Sequence, residues 1–359
     1  MGRSYDFAGL TLPMPGATVS LRSKADRQSR LMYARTLGGT GLLVTPIGLG
    51  LAALGRPGYI NLGHGEDLGE GRDREALRSH CHRMLDCAWE LGVRYFDAAR
   101  SYGLAEEFLG VWLRSTRHHC DVGSKWGYTY TAAWRVAAEI HEIKEHSRAV
   151  LDRQWAESRE YLGRWLRLYQ IHSATLDSGV LDDREVLERL AEIKGEGVAI
   201  GLTLSGPNQA ETLGKALAVE IDGVRLFDSV QATWNLLEPS SATALAEASD
   251  AGLGVLVKEA LANGRLTDRN REPDFAPRRA LLERQAKRLG TTLDALALAA
   301  VLARPWAHTV LSGAVTETQL RANLRALDVA WDDEAEAALK PLVEDPQSYW
   351  KTRSDLAWN

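Results

Sequence analysis

The chain has 359 residues, of which 45% are apolar and 25% are charged, a balance that supports a large core and excludes a disordered protein. Its 43 Lys and Arg and 48 Asp and Glu give a net charge of -5 and are spread along the chain, so no basic patch indicates a nucleic-acid partner. Three cysteines without a CxxC motif predict neither a disulfide framework nor a zinc cage, and they indicate a reducing, cytoplasmic setting. Because no apolar run approaches the roughly 20 residues that cross a bilayer, we expect no membrane contact.

The first elements lie in a Gly-rich part of the chain. Residues 1–35 have neither helical nor strand periodicity, which predicts an N-terminal extension before the folded domain. Two short apolar runs separated by GGTG follow, and they predict a hairpin or turn that leads to a first core strand near 46–52. The loop GRPGYINLGHGEDLGEG comes next.

Short apolar runs then alternate with stretches of helical period. The runs are VRYFDAA, CDVGSKW, LRLYQIH, VAIGLTLS, LFDSVQATW, GLGVLVKE and AHTVLSG. Helices are predicted at 73–91, 104–116, 148–163, 184–195, 207–218, 241–251, 277–302 (as two helices) and 316–327.

Strands that are apolar on both faces and joined by helices predict a covered parallel sheet. Eight such units favour a closed (β/α)8 TIM barrel, and an open doubly wound sheet is the alternative. We therefore predict one barrel domain over residues 36–359, including a C-terminal tail that crosses one mouth of the barrel.

Four polar residues stand at or just after successive predicted strands. Asp97 ends the second strand, Tyr102 lies in the loop after it, Lys125 ends the third strand and His172 ends the fourth. Active sites of such barrels lie at the carboxyl ends of the strands, and neighbouring strands are about 5 Å apart, so these side chains should converge. Each residue alone has an ordinary structural explanation, such as an ion pair or a core histidine, but together they indicate chemistry.

A tyrosine is a weak acid with a usual pKa of about 10. An ammonium about 4 Å away is worth roughly 4 kcal/mol near a protein surface, which predicts a pKa of Tyr102 close to 7. Lys125 supplies that charge in this hypothesis, and Asp97 keeps Lys125 protonated inside the barrel mouth. His172 then orients a substrate carbonyl, and Glu106 braces the loop or binds cofactor.

Residues 36–330 resemble the aldo-keto reductases, barrel enzymes that reduce aldehydes and ketones with a nicotinamide cofactor. The resemblance rests on Asp-x4-Tyr-Gly-x2-Glu in GVRYFDAARSYGLAEEFLG, on GSKWG and QIHSA, on the opening RTLGGTGLLVTPIGLG and on the closing LSGAVTETQLRANLRAL. It implies that Tyr102 donates a proton, that Lys125 and Asp97 tune it, and that His172 orients the carbonyl. The substrate is then a small-molecule carbonyl or alcohol.

The cofactor site should lie near the closing segment. No GxGxxG motif follows a strand, whereas barrels hold phosphate after strands seven and eight, near a helix N-terminus. In SGAVTETQ, Gly313 allows close backbone approach, and Thr316 with Gln319 forms a capping box that opens the last helix. The resemblance also implies contacts from Ser205 and Gln231 to the carboxamide, from Asn323 to the adenine end, and from the loop containing Leu261, Gly264 and Arg265 to the pyrophosphate.

The cofactor segment departs from the family pattern in two places. Lys258 stands where many members stack an aromatic ring on the nicotinamide. Gly313, Val315 and Gln319 stand where many members carry cations for the 2′-phosphate of NADP, and Arg321 is a candidate substitute. NADP(H) is slightly favoured, with NAD(H) as the alternative.

The predicted substrate pocket is apolar and partly aromatic. It takes Tyr59 from the first loop, Trp126 after Lys125 and Trp234 after the sixth strand. No metal site is expected, because the paired histidines lack the spacing of HExxH.

Two other functions remain open at this point. One is a regulatory family member that binds the cofactor without catalysis, which the unusual Lys258 keeps open. The other is a lyase that forms a Schiff base on Lys125, which leaves Tyr102 and the closing cofactor segment less well explained.

Overall fold

The computed structural model describes residues 34–116 and 118–359, so residues 1–33 of the predicted N-terminal extension lie outside it. The strands, in chain order, are β1 (Arg35–Thr36), β2 (Leu43–Val44), β3 (Ile47–Gly50), β4 (Tyr95–Asp97), β5 (Asp121–Trp126), β6 (Tyr128–Tyr130), β7 (Glu142–Lys144), β8 (Leu166–Ala174), β9 (Ala199–Leu204), β10 (Glu220–Ile221), β11 (Val224–Arg225), β12 (Ser229–Thr233), β13 (Gly254–Lys258) and β14 (Thr309–Ser312).

The α-helices of the same part of the chain are α1 (His64–Leu68), α2 (Arg74–Glu90), α3 (Ala105–Thr116), α4 (Arg148–Leu162), α5 (Arg184–Gly195), α6 (Gln209–Leu217), α7 (Ala242–Asp250), α8 (Ala276–Arg288), α9 (Leu293–Leu302), α10 (Glu317–Leu324), α11 (Asp333–Leu339) and α12 (Pro346–Ser354). Among these described helices, none combines the length and apolarity that would let it cross a membrane.

Eight of the strands close into a barrel in the order β12–β13–β14–β3–β4–β5–β8–β9. Every neighbouring pair in this ring is parallel. The predicted (β/α)8 barrel is therefore confirmed, and the open-sheet alternative is wrong. The ring brings the carboxyl ends of all eight strands to one rim, where the polar residues of interest lie.

The hairpin predicted before the first core strand is formed by β1 and β2. Its side chains Leu37, Leu42 and Val44 are buried against Tyr95 and Leu168 of the barrel strands. The hairpin therefore packs on the end of the barrel where β13 begins, opposite the carboxyl rim, whereas Leu43 stays 55% exposed.

Helix ends follow the local sequence signals closely. Asp73 precedes α2 and accepts hydrogen bonds from Glu75 N and Ala76 N, while Thr316 and Gln319 form the predicted capping box of α10. The sequence did not predict α1, the β6–β7 and β10–β11 hairpins, α11 or α12.

Candidate active site

A cavity of about 560 Å³ opens at the carboxyl rim of the barrel, a volume typical of sites for small molecules and cofactors. The predicted site residues that line it are Tyr59, Asp97, Tyr102, His172, Ser205, Gln231, Lys258, Leu261, Gly264, Gly313, Gln319 and Asn323. The structure thus brings Asp97, Tyr102 and His172 of the predicted catalytic set, and most of the predicted cofactor set, to one cavity. Lys125 is paired with Asp97 but does not line it.

Asp97 and Lys125 form a buried ion pair beneath this cavity, with side chains that are 2% and 1% exposed. Lys125 Nζ donates to Asp97 Oδ1 and, at 2.9 Å, to the carbonyl of Ala98. Asp97 Oδ2 accepts from Gln231 Nε2 at 3.0 Å and from the Tyr95 hydroxyl at 3.3 Å. These extra hydrogen bonds offset the cost of removing both charges from water.

Gly123 makes room for this network. It faces Asp97 in the β4–β5 register, and a Cβ on it would lie 2.1 Å from the Tyr95 hydroxyl oxygen. Any larger residue would therefore displace the phenol that supports Asp97.

Tyr102 lies at the centre of the predicted catalytic set. Its ring centroid is 4.8 Å from Lys125 Nζ and 5.6 Å from the His172 ring, which it meets edge to face. The first loop fixes its backbone, because a Cβ on Gly55 would lie 2.2 Å from Tyr102 O. The guanidinium carbon of Arg56, in the same loop, is 5.3 Å from the Tyr102 ring.

The expectation that Lys125 lowers the pKa of Tyr102 to about 7 is wrong. Burial and the nearby Asp97 carboxylate raise the pKa of Tyr102 well above 10, and Arg56 is the cation that opposes them. The charge of Lys125 is matched by Asp97, so little of it acts on the phenol. Tyr102 consequently holds its proton at neutral pH and can donate it.

His172 is an uncharged imidazole in this setting. Burial first, then the positive charges of Lys125 and Lys258, lower its pKa well below 6.5. Its Nδ1 is 3.4 Å from Ser101 Oγ, and its ring lies 4.8 Å from that of Tyr128. A neutral imidazole beside Tyr102 can hydrogen-bond a substrate oxygen without bringing a charge.

Glu106 braces the catalytic loop and does not line the cavity. It is 1% exposed and accepts hydrogen bonds from Ser124 Oγ at 2.5 Å and Ser158 Oγ at 2.7 Å. Its other oxygen pairs at 2.7 Å with Arg100, which lies between Asp97 and Tyr102. Of its two predicted roles, the structure supports bracing.

The closing segment has the predicted local geometry. Thr316 Oγ1 accepts from Gln319 N at 3.2 Å, and Gln319 Oε1 accepts from Val315 N at 2.9 Å. Asn323 Nδ2 donates to Ser312 Oγ at 2.9 Å, which holds Asn323 against the end of β14. Thr316 itself does not line the cavity and acts as a helix cap.

Lys258 places an amine in the cavity wall. Its Nζ donates to Thr233 Oγ1 at 2.8 Å and lies 5.6 Å from the Trp350 ring centroid. Burial lowers the pKa of Lys258 to about 8, although Glu259 acts in the opposite direction. At this position the cavity wall therefore carries an amine, where the sequence analysis noted that many family members have an aromatic ring.

Besides Lys125 and Thr316, three predicted site residues do not line the cavity. Arg265 makes two hydrogen bonds, at 2.6 and 3.0 Å, to the carboxylate of Glu344. Trp126 is fully buried, with its ring 5.6 Å from that of His146. Trp234 packs with its ring 5.8 Å from that of Trp306.

The directions of the neighbouring side chains explain why Trp126 and Trp234 do not line the cavity. Successive side chains of a strand point to opposite faces. Because Lys125 points into the barrel, Trp126 points outward; because Gln231 and Thr233 point inward, Trp234 points outward.

Several lining residues were not among the predicted site residues. Arg56 pairs at 3.0 Å with Glu142 of β7, and Glu259 pairs at 2.7 Å with Arg353 of α12. Trp358 follows α12 and also lines the cavity. The tail thus crosses the mouth of the barrel, as the sequence predicted, and the aromatic character of the tail was the one available signal.

Unsatisfied polar groups in the wall fit an elongated polar ligand. His64 is 1% exposed, and neither ring nitrogen has a hydrogen-bond partner within the described residues. Asn263 Oδ1 is buried and likewise lacks a partner in that part of the chain. Gly313 leaves the wall open, since a Cβ there would meet only Asn61 Nδ2, at 3.9 Å. The donors and acceptors suit the hydroxyl and phosphate groups of a dinucleotide.

Comparison with known proteins identifies the family. The profile of the Aldo/keto reductase family matches residues 46–344. The chain belongs to the aldo/keto reductase family. This aldo/keto reductase is 28% identical over 313 residues to the uncharacterized oxidoreductase YqkF of Bacillus subtilis (strain 168), covering 82% of this chain and 91% of that protein.

Two further relatives of this aldo/keto reductase span most of its length. The aldo-keto reductase str7 of Strobilurus tenacellus is 26% identical over 336 residues, covering 85% of this chain and 90% of that protein. Among solved structures, the holo form of aldo-keto reductase AKR11C1 from Bacillus halodurans superposes with a TM-score of 0.67 at 25% identity, covering 88% of this chain and 97% of that one. These matches support an oxidoreductase of this fold.

Proposed function

We propose that this aldo/keto reductase reduces an aldehyde or ketone with a nicotinamide dinucleotide, and that Tyr102 is the proton donor. The observation that carries the proposal is the convergence of Tyr102 and His172 in one cavity wall, above the buried Asp97–Lys125 pair. The dinucleotide, when bound, supplies the hydride to the carbonyl carbon. The electrons of the C=O π bond pass to the oxygen, which takes the proton of Tyr102 and becomes the alcohol.

The residues of the chain supply position and a proton. His172, neutral, donates a hydrogen bond to the carbonyl oxygen and aims it at the Tyr102 hydroxyl. The Asp97–Lys125 pair lies beneath the Tyr102 ring, with Lys125 Nζ 4.8 Å from the ring centroid, and helps to hold the phenol in place. This arrangement preorganises the donors before substrate arrives, so little reorganisation is needed during the reaction.

The cofactor contacts are proposed at lining residues that the family resemblance also indicates. Gln231 and Ser205 hold the carboxamide end, and Asn323 the adenine end. The other proposed contacts are Lys258, Leu261, Gly264, Gly313 and Gln319. Thr316 contributes by starting α10 at the cavity edge.

The substrate is proposed to be a small-molecule carbonyl or alcohol with an apolar part, in a cytoplasmic setting. The support is the aromatic wall made by Tyr59, Tyr128 and Trp358, together with the free thiols of the three cysteines. A lyase that uses Lys125 is disfavoured, because that amine is paired with Asp97 and does not line the cavity.

The test is nicotinamide oxidation across a panel of aldehydes and ketones. Tyr102→Phe should lower turnover by about 100-fold or more, because the proton donor is removed, while dinucleotide binding measured by tryptophan fluorescence is retained. Tyr161→Phe is the matched control, because Tyr161 on α4 does not line the cavity. Undiminished turnover in Tyr102→Phe would contradict the assignment. Binding without turnover of any substrate by the unaltered protein would favour the regulatory alternative.

A further inference from the structure

Gln319 brings a carboxylate to the place where many family members hold the 2′-phosphate of NADP. Gly313, Val315 and Gln319 all line the cavity, and none of them is a cation. The carbonyl end of Gln319 caps α10, and its Nε2 donates to Asp67 Oδ2 at 2.7 Å. Gln319, at a position where many family members carry a cation, thus orients the Asp67 carboxylate.

Asp67 keeps the capacity to bind a ribose. Its side chain is 12% exposed and lines the cavity from α1. One oxygen accepts from Gln319 and the other pairs with Arg269. A carboxylate offers about four acceptor positions, so each oxygen can accept a further hydrogen bond. An acidic side chain that accepts the ribose 2′-hydroxyl selects NAD in other dinucleotide sites, whereas an arginine accommodates the 2′-phosphate.

The surrounding charge is negative. Asp268 and Asp294 also line this end of the cavity. Burial and then the charge of Asp268 raise the pKa of Asp294 to about 6. The nearby cation, Arg269, is bound to Asp67 and to the carbonyl of Gly63 at 2.9 Å. A phosphate monoester, with a charge of about -1.5 to -2, would meet three carboxylates and one guanidinium that is already paired.

The cation suggested by the sequence does not relieve this repulsion. Arg321 does not line the cavity, its side chain is 52% exposed, and it pairs at 3.4 Å with Glu317 on the outer face of α10.

Resting on the proposed function, we infer that the dinucleotide is NAD(H) rather than NADP(H), and that Asp67, held by Gln319, makes the choice by accepting a ribose hydroxyl. This differs from the slight preference for NADP(H) that the family resemblance suggests.

The test compares dissociation constants of NADH and NADPH, measured by quenching of tryptophan fluorescence on the full chain. We expect NADH to bind at least about tenfold more tightly than NADPH, and Asp67→Asn to reduce that ratio about tenfold, since it removes the charge and keeps the side-chain shape. Glu317→Gln is the matched control, because it removes an exposed carboxylate from α10, the helix that carries Gln319, without touching the cavity; its ratio should not change.

The outcomes separate the two proposals. Tighter binding of NADPH by the unaltered protein, or an unchanged ratio in Asp67→Asn, would overturn the inference about specificity. Failure to bind either dinucleotide would instead contradict the proposed function. If Asp67→Asn does not fold, Gln319→Arg gives the second measurement: it should raise the affinity for NADPH at the expense of NADH, and no change in the ratio would again overturn the inference.

Discussion

Two of the ion pairs at the cavity, Asp97–Lys125 and Glu259–Arg353, differ in how far apart their partners lie in the chain. Asp97 and Lys125 stand on adjacent barrel strands, 28 residues apart. Glu259 and Arg353 join the end of β13 to α12, 94 residues apart. The first pair follows from the repeating architecture, in which each strand end meets the next, whereas the second depends on the path of the tail. Charges that a repeat brings together can be predicted from sequence; those that a tail brings together cannot.

The two pairs also differ in their surroundings. Asp97 and Lys125 are enclosed by barrel residues and almost inaccessible. Glu259 is 8% exposed in its side chain, whereas Arg353 is 27% exposed. Arg353 and Lys258 outweigh burial and lower the pKa of Glu259 to about 2. The Glu259–Arg353 pair is therefore strong but partly exposed to solvent. Its removal should lower the free energy of unfolding by less than removal of the Asp97–Lys125 pair.

The largest effect is expected for Lys125→Met. It leaves the buried Asp97 without its cation partner, which should lower the free energy of unfolding by about 3–5 kcal/mol. Urea unfolding followed by tryptophan fluorescence measures this loss. Lys125→Met combined with Asp97→Asn should recover part of it, because the unpaired charge is gone. A loss below about 1 kcal/mol in the single variant would contradict a large contribution of this pair to the free energy of unfolding.

A smaller, pH-dependent effect is expected for Glu259→Gln, which resembles the protonated acid. The folded pKa of about 2 lies below the ordinary value of 4.5, so the stabilisation is complete above pH 4.5 and is lost as the pH falls through 2. At pH 7 the variant should unfold with a free energy lower by on the order of 3 kcal/mol. The gap should narrow steadily towards pH 2, and a gap of constant size would argue against this charge interaction.

The smallest of these effects concerns the end of the tail. Asn359 Oδ1 accepts from Gly65 N at 2.8 Å, and its Nδ2 donates to Asn61 O at 2.9 Å. Asn359→Ala should cost about 1 kcal/mol and speed hydrogen exchange in the first loop. Lys351→Ala is the control, because it breaks only an exposed pair with Asp355 and should change the free energy of unfolding by less than about 0.5 kcal/mol. Equal exchange rates in both variants would contradict the anchoring role.

The barrel was predictable because its strands and helices carry strong periodicity and clear ends. The predicted helix at 184–195 coincides with α5. Every barrel strand falls within a predicted run except β8, which continues two residues beyond its run to Ala174. The β6–β7 hairpin was missed because none of its residues is fully buried and their burial does not alternate along the strands, so no alternating apolar pattern marks it. Helix α12 was missed because its buried Tyr349 and Trp350 are adjacent and define no repeating apolar face.

Within the site, sequence indicated which residues meet but not how their charges balance. The placement of Asp97, Lys125 and His172 follows from strand order, and Tyr102 follows Asp97 closely in the loop after its strand. The pKa of Tyr102 does not, because it depends on Asp97 matching the ammonium and on Arg56 arriving from the first loop. Likewise Gln319 was recognisable as a cap, whereas its contact with Asp67, 252 residues away, required the folded chain.

The closed ring of strands also bears on how the protein behaves in concentrated solution. Each barrel strand is hydrogen-bonded on both sides, so the ring presents no open edge to another chain. Unpaired strand edges in the described residues belong to the β1–β2, β6–β7 and β10–β11 ribbons, whose strands are two or three residues long. Templates this short recruit another strand poorly. The architecture that gathers the polar residues of the cavity therefore also protects the folded protein against edge-to-edge aggregation.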